Sequence, residues 1–65
     1  MITEKDIKPG LMFSTEKNSV IISARQKDKV KITWFYEDDC GLHSWVDNVT
    51  VAELLKEIRY WKKDG

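Results

Sequence analysis

A chain of 65 residues with eleven basic and eleven acidic side chains, one cysteine and one histidine holds a single domain with a single core. Balanced charge argues against a dedicated polyanion binder, the lone Cys40 excludes an internal disulfide, and the lone His43 excludes the usual Cys/His zinc sites. No stretch approaches the ~18 apolar residues of a membrane span, and MITEKDIKPG has no apolar run of a secretory leader, so the expected setting is a reducing cytoplasm.

A domain of this size buries only ~60% of the surface its unfolded chain exposes, which leaves a few kcal/mol of net stability drawn from packing. The chain opens with Thr3 ahead of Glu4 and Asp6, a pattern that predicts one helical turn capped by Thr3. Pro9-Gly10 then predicts a type II turn, because proline presets φ at the first central position and glycine accepts positive φ at the second. Residues 1–10 form this N-terminal turn region.

Extended segments follow. Leu11–Thr15 reads as a first strand, ended by Glu16-Lys17-Asn18. Ser19–Arg25 is rich in β-branched residues and ends at the tight turn Gln26-Lys27-Asp28. Lys29–Tyr36 is the strongest strand signal, with Val30, Ile32, Trp34 and Tyr36 on one face and Lys29, Lys31, Thr33 and Phe35 on the other. Linkers this short imply antiparallel hairpins. Glu37–Gly41 is an acidic turn, and Leu42–Val46 is a weaker fourth strand with Leu42, Ser44 and Val46 on one face and His43 and Trp45 on the other. The meander spans 11–46.

Residues 50–63 carry the clearest helix signal. Thr50 and Glu53 fit a capping box, and Val49 and Leu54 fit a hydrophobic staple. Val51, Leu54, Leu55, Ile58 and Trp61 make one apolar stripe. Glu53 and Glu57 lie early and Lys62 and Lys63 late, which complements the helix dipole.

The expected fold is α+β: a four-strand antiparallel meander closed by a C-terminal α-helix. Leu11 or Phe13, Val20, Ile22, Val30, Ile32 and Trp34 would form its inner face. Short strands and tight turns favour a strongly curled, partly open barrel over a flat two-layer sandwich. The segment "DIKPGLMF" and the three close-spaced strands after it, from Asp6 to Val46, resemble the start of small SH3-like barrels. That resemblance implies a strongly curled, partly open barrel and brings no site residues with it. The chain departs from the pattern in reading as helix where such barrels place a last strand.

Candidate chemistry is sparse. Cys40 and His43 evoke a nucleophile–base pair, but Glu37, Asp38 and Asp39 would raise a thiol pKa, and no oxyanion-stabilising loop accompanies them. The three acids lack the spacing of a calcium loop, so neither a metal nor a cofactor is expected, and no enzyme. Trp34, Phe35 and Tyr36 are consecutive, so alternation sends them to opposite faces, and Trp45, Tyr60 and Trp61 add further aromatic bulk. A core this small does not absorb them all, and an exposed remainder marks a protein-binding surface. Phe35, Trp45 and Tyr60 are the expected anchors of a protein–protein or self-association module. By size alone such a chain compares with phage and mobile-element regulators that inhibit by occupying a partner's surface. The alternative is a small barrel for single-stranded nucleic acid, using Arg25, Lys29, Lys31 and Phe35.

Overall fold

A computed structural model describes residues 1–64; Gly65 lies outside the described residues. Thr3 caps a single 3-10 turn, Glu4–Asp6. Five strands follow as one antiparallel, unclosed sheet: β1 Met12–Ser14, β2 Asn18–Gln26, β3 Lys29–Asp38, β4 Gly41–Thr50 and β5 Lys62–Asp64. Among the described residues one α-helix, α1 Val51–Ile58, separates β4 from β5. The spatial order is β4-β3-β2-β1-β5, so β4 and β5 are the edges.

The helix-side face of the sheet contributes Phe13, Val20, Ile22, Val30 and Ile32 to the core, and α1 contributes Val51, Leu54 and Ile58. Ile2 and Ile7 complete it from the N-terminal segment. The cap and staple form as the residue types dictate: Glu53 N–H donates to Thr50 Oγ1 at 3.1 Å, Thr50 N–H donates to Glu53 Oε1 at 3.3 Å, and Val49 packs on the core. The first helical N–H, of Val51, is taken by the Asp28 carbonyl at 2.7 Å, which ties the helix to the β2–β3 turn. In that turn Lys27 takes φ 56. Gly10, at φ 90, occupies the positive-φ position of the Pro9-Gly10 turn.

Two expectations are corrected at the C-terminal end. The helix runs over eight residues and stops at Ile58, not 63, and the four-strand meander β1–β4 is joined by a fifth strand, β5, which pairs with β1. No glycine or proline lies between 50 and 64, so the stop is tertiary. Ile2 N–H donates to the Arg59 carbonyl at 2.8 Å, the group a continuing helix would offer to Lys63. Lys62, Lys63 and Asp64 instead pair with Ser14, Phe13 and Met12. Trp61 still packs against the core, as the apolar stripe requires.

β4 is also longer than expected. It reaches Thr50, and its register with β3 runs without a shift from Asp38↔Gly41 to Lys29↔Thr50. Asp38 Oδ1 accepts from Cys40 N–H at 2.8 Å, and Gly41 takes φ 123, so Asp39-Cys40 suffices as the connection.

The N-terminal segment is held by side chains from β2 and β5. A β-bulge between Ile22 and Ala24 shifts the register of β2 by one, so Arg25 sits opposite Val30 on the helix side. Its guanidinium donates to the carbonyls of Glu4 at 2.9 Å, Ile7 at 3.1 Å and Lys27 at 2.8 Å, and meets Glu4 Oε1 at 2.9 Å. Asp6 accepts from Thr3 N–H at 2.9 Å and from Lys63 Nζ at 3.2 Å. These bonds, the Thr3 backbone bond first and Lys63 next, hold the Asp6 carboxyl below its ordinary value of 3.8.

Removing the Arg25 guanidinium leaves three carbonyls short of a donor. Arg25→Met is expected to cost about 1–3 kcal/mol in chemical denaturation. Glu4→Gln, which touches only a solvent-exposed ion pair, is expected to cost below about 1 kcal/mol. Asp6 supplies a pH signature with a definite sign. Its folded value is depressed, so its contribution is complete above pH 3.8 and is lost as pH falls through the folded value. Asp6→Asn should therefore flatten the acid limb of the stability–pH curve below 3.8 and lower the plateau above it.

Candidate protein-binding surface

The length of the β3–β4 hairpin decides what the sheet exposes. Ten residues of strand reach about 33 Å, and the molecule measures 36 × 22 × 19 Å. An eight-residue helix reaches only about 12 Å. Whatever its direction, α1 covers roughly a third of the hairpin's helix-side face, and the remainder carries aromatic side chains.

Those side chains form a row. Trp34 and Trp45 are direct cross-strand partners with stacked rings 6.5 Å apart, and Trp61 meets Trp34 edge-on at 5.8 Å. Toward the tip, Tyr36 and His43 are the corresponding pair, stacked at 6.3 Å. Trp34, Tyr36 and Trp61 are half-buried, whereas Trp45 is 50% exposed. Beside Trp34 lies a cleft of about 180 Å³, walled by Asp47, Val49, Glu53, Leu54 and Glu57. Its lining holds three carboxylates and no cation, against an indole face that itself favours cations.

The three expected anchors do not come together. Trp45 lies in the row, Phe35 is half-buried on the opposite face opposite Ser44, and Tyr60 stands 83% exposed in the turn after α1. Sequence pattern alone does not single out Trp34, Trp61 or the cleft carboxylates as members of the surface. The hairpin register is the missing signal, since a tip at Asp39-Cys40 sets Trp34 opposite Trp45. The longer turn expected from Glu37–Gly41 implies a register slipped by one, which turns Trp45 to the other face.

The outer face of the sheet is uncovered. Lys29, Lys31 and Phe35 share it, as alternation predicts, together with Met12, Ile21, Thr33, Val46 and Leu42. Gln26, Lys29, Lys31 and Asn48 border a groove of about 690 Å³ at the end near the β2–β3 turn. Arg25 and Glu53 line the same groove. The bulge puts Arg25 on the helix side, with its guanidinium bound to backbone carbonyls. Of the expected set Arg25, Lys29, Lys31 and Phe35, the last three share the outer face, and Arg25 reaches the same groove from the helix side.

Cys40 is exposed in the β3–β4 connection. His43 Nε2 meets Asp38 Oδ1 at 3.1 Å, so the imidazole's recorded partner is a carboxylate and not the thiol. The Cys40 N–H and then His43 hold Asp38 below its ordinary value. Among the described residues, no three His, Cys, Asp or Glu side chains converge as a metal site, and no helix is long and apolar enough to cross a membrane. Compared with protein-family models, with curated proteins and with solved structures, the chain matches none of them.

Proposed function

We propose that the domain is a non-enzymatic protein-interaction module that docks a basic segment of a partner protein along the helix-side face of β3 and β4. The observation that carries this reading is the half-exposed Trp45, stacked on Trp34 beside a cleft of carboxylates. Exposed aromatics supply the desolvation energy of protein interfaces. Asp47, Glu53 and Glu57 supply the sign of charge, and an arginine or lysine laid over an indole meets both requirements. The strand order, in which the last strand returns to pair with the first, supports reading the sheet as an open relative of SH3-like barrels.

Indole emission provides the test. A short peptide of alternating arginine and leucine is expected to shift and quench tryptophan fluorescence at low salt, and its glutamate counterpart is not. Trp45→Ala and Glu57→Lys, both at exposed positions, should each weaken binding about tenfold or more, the loss of roughly 1.4 kcal/mol. Equal response to both peptides, or binding that survives both substitutions, overturns the reading.

A second reading has one observation in its favour. Lys29, Lys31 and Phe35 do share the outer face, with Gln26 and Asn48 at its groove, so a locally cationic surface exists despite zero net charge. Phosphates on the lysines and a base stacked on Phe35 would give salt-sensitive binding of single strands. Polarisation titration with a fluorescent oligothymidine is the measurement. Binding at low salt, lost in the double variant Lys29→Glu, Lys31→Glu and retained in Arg25→Met, supports this reading; no binding at low salt removes it.

A further inference from the structure

β4 is the long open edge of the sheet, and it carries exposed apolar residues on both faces. An edge strand presents unpaired N–H and C=O groups, which natural proteins protect with lysine, proline, a bulge, a cover or an inward-pointing charge; of these β4 has one inward charge, Asp47. Gly41–Thr50 (GLHSWVDNVT) contains no lysine, arginine or proline, and its ladder with β3 has no bulge. Every residue from Gly41 to Asn48 is exposed. Of the five exposed large hydrophobic residues among those described, three lie on this strand: Leu42 at 66%, Trp45 at 50% and Val46 at 58%. Leu42 and Val46 point to the outer face and Trp45 to the helix side. Apolar residues on both faces give a neighbouring strand side chains to pack against on each side of the sheet.

We infer that the occupant of this edge is a second copy of the chain, paired β4 to β4 in antiparallel fashion about a twofold axis normal to the sheet. The argument for self-pairing is charge. One end of the β3–β4 hairpin is the acidic tip Glu37-Asp38-Asp39. At the other end Lys27, Lys29 and Lys31 outnumber Asp28 and Glu53. Antiparallel pairing lays the acidic tip of each copy beside the basic end of the other. A parallel arrangement would set tip against tip.

The register follows from side-chain pairing across the axis. Side-chain alternation allows only shifts of two residues. With Trp45 on the axis, His43 of each copy faces Asp47 of the other, Ser44 faces Val46, and Leu42 faces Asn48. The two indole rows then merge across the axis into one continuous aromatic strip. Shifting by two in either direction sets Trp45 against His43 or Asp47 of the second copy and separates the two indoles. Such a contact is isologous and closes on itself, so it yields dimers and not fibres. The result is a ten-stranded sheet across two chains. This inference stands on the edge strand; it shares Trp45 and Asp47 with the basic-partner reading, and sedimentation of the chain without peptide tests it separately.

Sedimentation equilibrium of the full chain between micromolar and millimolar concentration is the first measurement, and a monomer–dimer equilibrium is expected. His43→Asp and Asp47→Lys should each weaken dimerisation at least tenfold while circular dichroism and thermal unfolding show an intact fold. An equimolar mixture of these two variants should recover the dimer, because the carboxylate introduced in one then faces the ammonium introduced in the other, and the remaining His43–Asp47 pair is intact. As a register check, Trp45→Cys in a Cys40→Ser background should form a disulfide-linked dimer under mild oxidation, and Asn48→Cys in that background should not. A chain that stays monomeric at millimolar concentration overturns the inference. So does a dimer indifferent to both charge variants, and so does failure of the mixture to recover it.

Discussion

The organising constraint is a mismatch of length. The hairpin of β3 and β4 extends about 33 Å, while the helix available to cover it extends about 12 Å. Where the two overlap, Val30 and Ile32 are sealed beneath Val51, Leu54 and Ile58. Beyond the overlap, the same alternation that fills the core delivers Trp34, Tyr36, Trp45 and His43 to a face with no second layer. The exposed aromatics therefore follow from geometry, given a strand pattern that continues past the helix.

The rest of the chain compensates for a short helix by drawing on its ends. Ile2 and Ile7 enter the core that α1 alone does not fill, and they stay there because Arg25, Asp6 and Lys63 tie the first turn to β2 and β5. One bulge in β2 is central to this arrangement. Without the register shift between Ile22 and Ala24, Arg25 would face outward beside the lysines. With it, a cation that reads as part of a ligand surface becomes a clamp on backbone carbonyls. A buried-side arginine with three carbonyl partners exchanges availability for structure.

Net charge conceals a polarised molecule. The acidic residues gather at the β3–β4 tip and around the cleft beside Trp34, and the lysines of β3 gather at the opposite end of the hairpin. That separation gives each face a chemical preference that composition averages to nothing. It explains how a chain with zero formal charge offers a carboxylate-lined aromatic face on one side of the sheet and a lysine-bearing face on the other.

Much of the fold is legible from local pattern. Alternation in β3, the Pro9-Gly10 turn, the Thr50 cap and the inner-face set from Phe13 to Ile32 are all set by neighbours within a few residues, which is why the residue types announce them. Other features depend on contacts between segments far apart in the chain. The helix stops at Ile58 because Ile2 claims the Arg59 carbonyl and β1 claims Lys63, and neither competitor is visible from residues 50–64. The face of Trp45 depends on a one-residue difference in the hairpin connection, and the face of Arg25 on a one-residue bulge. The sequence by itself determined which residues are apolar, which alternate and where the chain turns. Only the tertiary structure decided which of the surplus aromatics share a surface, because a period-two element converts a single residue of register into the opposite side of the sheet.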